Sequence, residues 1–195
     1  MAKAPQGDAG KQLQQKQQSY ATVLGALTQP TAGVSFAAMK IRPATPLDVP
    51  AVLPMVRKLC ELHRGWDRAK YDFVEGIEEM YRSWLTSRAT DPRAVFLVAE
   101  REGRGPVGFL IGTVEREIPI YRLKEYGFVH DLWVEEEYRH EGVARQMVMQ
   151  AVERFREIGV RQVRLDTAGP NEAARKLFES CGFRVSVVEM VREVE

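Results

Sequence analysis

Arg139, Gly142, Ala144 and Arg145 lie in the run Tyr138-Arg139-His140-Glu141-Gly142-Val143-Ala144-Arg145, where an apolar stretch gives way to a helical pattern. A buried strand that ends in a basic, glycine-containing turn and then opens an amphipathic helix is suited to holding an anion. The first helical turn leaves backbone N–H groups unpaired at the positive end of the helix dipole. Gly142 lets the backbone approach a ligand with no Cβ in the way. A phosphate or pyrophosphate is the natural guest. The run is not a phosphate loop ending in Gly-Lys-Ser/Thr, nor does it have the Gly-x-Gly-x-x-Gly spacing of a dinucleotide turn. Just upstream, inside the apolar run 127–134, stands the pair His130-Asp131. An imidazole with a pKa of about 6.5 suits general-base work, directly or through a water.

These groups need a scaffold, and the chain is long enough for one domain with a full core. Hydrophobic residues make up 45% and charged residues 28%, and the formal net charge is +1. That balance lacks the basic field of a dedicated nucleic-acid binder, so no nucleic-acid partner is expected. Cys60 and Cys181 are the only cysteines, which gives neither a disulfide framework nor a zinc cluster, and no metal is expected. No apolar run approaches the roughly 20 residues that span a bilayer, and the start of the sequence has no signal pattern. No membrane association is expected, and a reducing, cytoplasmic setting is the default.

Residues 1–38, rich in Gln and Lys at 11–18, read as an N-terminal extension, flexible or weakly helical, with the domain at 39–195 and Met39 as a candidate biological start. Residues 39–43 read as a strand. Thr45, Pro46 and Asp48 form a helix start, and Val49, Val52, Leu53, Val56, Leu59 and Cys60 follow with helical spacing, Pro54 being a kink candidate. A polar and aromatic link, residues 63–67, leads to a second helix over 73–87. Strands are expected at 94–100 and 106–114, joined by a glycine turn, and at 126–134. A helix over 142–158, a strand over 160–167, a helix over 171–180 and a last strand over 183–194 complete the chain. The fold class is α/β: a single mixed, mostly antiparallel sheet flanked by helices.

The spacing Arg139-x-x-Gly142-x-Ala144 between strand and helix resembles the acyl-CoA signature of the Gcn5-related (GNAT) acetyltransferases. A second motif agrees: Asn171-x-x-Ala174-x-x-x-Phe178 followed by Cys181-Gly182-Phe183 is similar to the family's Asn-x-x-Ala-x-x-x-Tyr-x-x-x-Gly-Phe segment. The resemblance covers residues 39–195, with one helix and one strand between the motifs. It implies an N-acetyltransferase that transfers an acetyl group from acetyl-CoA to a primary amine by direct attack in a ternary complex. Leu132, Trp133 and Val134 would line the pantetheine. Arg139, His140, Glu141, Gly142, Val143, Ala144 and Arg145 would hold the pyrophosphate, and Asn171, Ala174 and Phe178 would pack beside the cofactor.

For the proton acceptor the resemblance offers two places. His130-Asp131 falls where some small-amine acetyltransferases of the family have a glutamate followed by an acid. Asp166 falls where N-terminal protein acetyltransferases have a glutamate base. The family's general acid, a Tyr, falls on Phe178, which has no hydroxyl; either another group protonates the thiolate, with Tyr126 and Tyr138 as candidates, or it leaves unassisted. Trp66, Asp67, Tyr71 and Tyr121 are candidates for an aromatic and acidic acceptor pocket, equally readable for Trp66 and Tyr71 as packing of the helix junction. Glu135, Glu136 and Glu137 read as a solvated turn. The acceptor class is a small-molecule amine or a peptide or protein amine, and a homodimer is a further implication of the resemblance. The alternative to an enzyme is a catalytically weak acyl-CoA sensor or scaffold, motivated by Phe178.

Overall fold

Long runs of β-branched and aromatic residues, such as 107–113, require a sheet covered on both sides, and the helical-period segments supply the two covers. The computed structural model describes residues 39–194. In chain order the elements are β1 (Met39–Pro43), α1 (Val49–Trp66), α2 (Ile77–Arg88), β2 (Ala94–Arg101), β3 (Gly105–Arg116), β4 (Glu125–Val134), α3 (Val143–Ile158), β5 (Val163–Leu165) and α4 (Glu172–Ser180). Short 3-10 turns lie at Pro46–Asp48 and Glu136–Tyr138. The sheet order is β1-β2-β3-β4-β5, antiparallel except for the β4–β5 pair, whose parallel direction follows from the α3 crossover between them. The expected mixed, mostly antiparallel sheet flanked by helices is therefore present. The expected extension at 1–38 lies outside the described residues.

Alternation along the central strands divides the core in two. Phe96, Val98, Phe109 and Ile111 face α1 and α2, packing on Val52, Leu53, Val56 and Leu85. Val95, Leu97, Leu110 and Val129 face α3, packing on Met147, Val148, Ala151 and Phe155. Between Thr45 and α1, Asp48 accepts hydrogen bonds from the Thr45 amide (2.7 Å) and hydroxyl (2.9 Å). The Arg42 guanidinium grips both its oxygens at 2.8 Å, and that contact holds the carboxyl down at about 2.

Several boundaries differ from the sequence reading, each for a local reason. The first helix runs through Pro54 and through the expected link as far as Trp66. The second starts at Ile77 and not at 73, because Gly76 takes φ +78° at its N-cap, a left-handed conformation that cannot continue a helix backwards. The strand expected over 160–167 is confined to Val163–Leu165. No strand forms over 183–194: Val185, Val187, Val188 and Met190 are 66–92% exposed. The apolar positions there change phase between Val187 and Val188 and again between Met190 and Val191, so the segment has no single apolar face to bury. β5, at the open edge of the sheet, also offers only three residues to a further strand.

Candidate functional site

β4 carries a bulge. Asp131 pairs with Ile111 and Val129 with Gly112, so His130 is an extra residue with no partner across the strand pair. A bulge turns two successive side chains toward the same side. Gly127, Val129, Leu132 and Val134 accordingly face α3, while Phe128, His130, Asp131 and Trp133 face α1 and α2. Strict alternation would have put His130 and Asp131 on opposite faces; the bulge brings both to one.

The His130 ring meets Trp84 of α2 edge to face (5.3 Å, 90°) and Phe128 (5.0 Å, 63°). Its Nε2 lies 2.6 Å from the Thr113 hydroxyl, which donates to Glu115 Oε1 at 2.5 Å. Glu115 itself approaches Nε2 to 3.7 Å, and the imidazole is 29% exposed. Burial pushes its pKa below the ordinary range, with Glu115 opposing and the Arg88 guanidinium adding to the drop. At neutral pH the ring is therefore neutral and has a lone pair to offer.

Asp131 is placed differently. Its carboxylate is 9% exposed and accepts one hydrogen bond from the Tyr81 hydroxyl at 3.2 Å. Burial pushes it up to about 6, the Tyr81 bond opposing. The same burial, with Asp131 beside it, drives the Tyr81 phenol well above its usual range. An unfolded Asp titrates at about 3.9. Between the two values the folded state keeps a proton that the unfolded state has lost, so this group's contribution to stability falls as pH rises from about 4 to about 6 and stays low above. Asp131→Asn keeps an acceptor for Tyr81 and removes the buried charge. It should raise stability at pH 7 to 8 by about 2–3 kcal/mol and change little at pH 4. Urea unfolding of both proteins at pH 4, 6 and 8 reads this directly; parallel pH profiles would rule it out.

Beyond Val129 and Leu165 the β4–β5 pairing stops, because β5 itself ends at Leu165. From His130 to Val134, β4 has no strand partner on that side among the described residues, which leaves its backbone groups there unpaired by the sheet. Leu132 packs on the α3 side of the core. The Arg139 guanidinium lies 4.8 Å over the Trp133 ring, with its Nε donating to the Val134 carbonyl at 2.9 Å. The chain then turns through two left-handed residues, His140 (φ +64°) and Gly142 (φ +78°), into α3. No side chain caps that helix. Val143 is buried, Ala144 half-buried, and Glu141 and Arg145 exposed. A Cβ placed on Gly142 would meet only Gln146 Nε2, at 3.9 Å, so the hollow of the turn is open. A left-handed pair and a helix start without a side-chain cap among the described residues are features that can receive an anion.

After β5, Asn171 caps α4 by accepting from the Ala174 amide at 3.1 Å. Phe178 is buried in the core against Phe183 (5.7 Å between rings). Asp166 is exposed just past the end of β5, and Thr167 beside it has a buried hydroxyl without a hydrogen-bond partner. A hydroxyl left without a partner among the described residues, just past the end of β5, is consistent with a guest that carries its own polar groups.

Of the acceptor-pocket residues, Trp66 and Tyr71 come together around His63, at 5.5 and 4.9 Å, with Phe73 6.4 Å from Tyr71. Asp67 caps the following turn by accepting from the Lys70 amide at 3.2 Å. Tyr121 stands apart from that cluster on the β3–β4 loop, 52% exposed. Sequence reasoning missed Thr113, Glu115, Trp84 and Tyr81. Thr113, a polar residue inside a buried apolar run, was the available signal, and Gly112 beside it marks where a strand departs from regular pairing.

Residues 58–183 match the model of the acetyltransferase (GNAT) family. The chain belongs to that family. It is 32% identical over 88 residues to YycN, an uncharacterised N-acetyltransferase of Bacillus subtilis, covering 45% of this chain and 54% of that protein. It is 28% identical over 127 residues to human N-acetyltransferase 8, covering 61% and 53%. It thus spans about half the length of these two relatives. The fold is also that of a solved GCN5-related N-acetyltransferase from Ralstonia eutropha (TM-score 0.63, 21% identity, 80% of this chain and 99% of that one).

Proposed function

We propose that the chain transfers an acetyl group from acetyl-CoA to a primary amine by direct attack in a ternary complex. The end of the β4–β5 pairing at Val129 and Leu165, followed along the chain by the left-handed turn into α3, carries this reading. Leu132 to Val134 would lie along the pantetheine, the amides of 139–145 would hold the pyrophosphate, and Asn171, Ala174 and Phe178 would border the arm. Acetyl-CoA supplies an activated thioester carbonyl. His130, neutral at pH 7, takes the proton that the neutral amine sheds as it attacks; Asp131, on the same face of β4, is buried against Tyr81. Asp166 is the second candidate base. Trp66, Asp67, Tyr71 and Tyr121 are assigned to the acceptor side, with a small-molecule or peptide amine as substrate. No helix among the described residues is long and apolar enough to cross a membrane, and we place the protein in the cytoplasm. A homodimer belongs to the same proposal and is read by the mass in solution.

A second reading, a catalytically weak acyl-CoA sensor, is favoured by Phe178: no hydroxyl stands where the family has its general acid, and the ring is spent on core packing. Thiol release from acetyl-CoA across a panel of small amines, polyamines and peptides separates the two. Release with any acceptor supports transfer; tight CoA binding with no release supports the sensor.

The turn makes its own prediction. In the free protein a Cβ on Gly142 has open space, so Gly142→Ala should cost only the left-handed strain, about 1–2 kcal/mol. Its loss of CoA affinity should be about 10- to 100-fold, the worth of one charge-assisted hydrogen bond. Calorimetric titration with CoA checks this, and an affinity within twofold of wild type would place the pyrophosphate elsewhere.

A further inference from the structure

Thr113 and Glu115 form with His130 a short chain of hydrogen bonds on the inner face of the sheet, and the proton count along it is informative. The Thr113 hydroxyl has one proton to donate, and the residue is 7% exposed. A carboxylate accepts and does not donate, so at 2.5 Å from Glu115 Oε1 that single proton is committed to Glu115. The 2.6 Å contact from the same oxygen to His130 Nε2 must then be filled from the other side, by an Nε2–H donating to Thr113. A neutral imidazole has only one N–H. Its lone pair is therefore on Nδ1, which makes no hydrogen bond to any described residue.

We infer that Thr113 and Glu115 are positioning residues: the hydroxyl, oriented by the carboxylate, locks His130 in the Nε2–H tautomer and makes Nδ1 the basic atom. The inference rests on His130 being the base. In the step, the amine nitrogen forms its bond to the thioester carbonyl carbon, the C–S bond breaks, and the sulfur leaves as thiolate. The proton lost by nitrogen goes to Nδ1, and the thiolate is later reprotonated from solvent or from His130. The imidazolium formed in between keeps its Nε2–H on Thr113, with the Glu115 charge behind it. The charged groups around the ring are Glu115 on β3 and Arg88 at the end of α2; Trp84 and Phe128 complete the walls without charge. Among the described residues, the Thr113 hydroxyl at 2.6 Å is the hydrogen-bond partner of Nε2, with Glu115 Oε1 farther off at 3.7 Å.

The chain has three histidines, so its ring nitrogens can be resolved by ¹⁵N-detected NMR of the protein without ligand. Wild type should show a protonated Nε2 with a slowly exchanging ring proton, and an unprotonated Nδ1. Thr113→Val should lose the protected proton and draw the two nitrogen shifts toward those of a tautomer mixture, while Thr113→Ser should restore the wild-type pattern. In kinetics, Thr113→Val and Glu115→Gln should each lower kcat about tenfold or more with the KM for acetyl-CoA unchanged, and the double variant should be no worse than either. A protonated Nδ1 in wild type, or a Thr113→Val spectrum identical to wild type, overturns the inference. The His130→Ala rate separates it from the reading beneath it. If that rate is unchanged while the spectra behave as expected, His130 is not the base and the lock has no catalytic role. If His130→Ala is slow but the spectra fail, the base stands and the lock does not.

Discussion

His130→Ala should lower kcat at pH 7.5 by about 10²- to 10³-fold, with acetyl-CoA affinity within about twofold of wild type, the usual range for a lost general base. The asymmetry follows from position. The ring lies on the face of β4 toward α2, against Trp84, Phe128 and Thr113, whereas the cofactor side of the proposal rests on the β4 edge and on the turn at 139–145. An alkylammonium with a pKa of about 10.4 must shed a proton before or during attack, so removing the acceptor affects the chemical step and not the binding. The pH profile adds a second constraint. Burial lowers the imidazolium pKa, so the wild-type acid limb should fall below the ordinary histidine midpoint, and the rate should be level by neutral pH. The variant should have no such limb, its residual rate following hydroxide. Because Trp84 leans on the ring, thermal melts of the variant must accompany the rates. A folded His130→Ala protein at wild-type rate would remove His130 as base and leave Asp166.

The turn, the two helices beside it and the strand before it were legible because each depends on local chemistry. Gly142 can adopt φ +78° where other residues resist, Asn171 caps through its own amide oxygen, and α3 repeats its apolar positions at the helical period. The layer order followed from the succession of periods. What stayed hidden depends on register. The bulge that places His130 and Asp131 on one face exists only in the pairing of β4 with β3, and a strand read alone alternates without exception. Thr113 and Glu115 come from the neighbouring strand and reach His130 only through that pairing. The missing last strand failed for a related reason: β-branched content at 183–194 satisfied propensity, but the broken phase and the brevity of β5 left nothing to pair and bury it. Asp131 shows the same limit in burial. Next to His130 in sequence it reads as a catalytic partner; in the structure it is enclosed against Tyr81.

Phe155→Ala should be the most destabilising single truncation in the α3 half of the core, at about 3–5 kcal/mol. The ring is fully buried and lies across two glycines on adjacent strands. A Cβ on Gly127 of β4 would stand 2.7 Å from Phe155 Cγ and Cδ1, and one on Gly112 of β3 would stand 2.9 Å from Phe155 Cζ. The phenyl ring occupies the space over both glycines, and at Gly112 the Phe128 carbonyl oxygen is a further close neighbour, at 2.7 Å. Gly127→Ala in the wild-type background forces a methyl into that ring and should cost about 1–3 kcal/mol by overpacking. In the Phe155→Ala background the same methyl enters the vacated space. The double variant should therefore be more stable than the sum of the single losses by at least about 0.5 kcal/mol, and the sign of Gly127→Ala reverses if the methyl fills enough of the hollow. The link to function is the position of that space: Gly112 pairs with Val129, the residue before His130, at the point where the register shifts. The Phe155 ring, packed close to that point, supports the bulge from the α3 side, as Thr113 holds the imidazole from the other. Denaturant melts of the four proteins give the coupling, and strict additivity would show that the ring does not press on the strand where the glycines leave room for it.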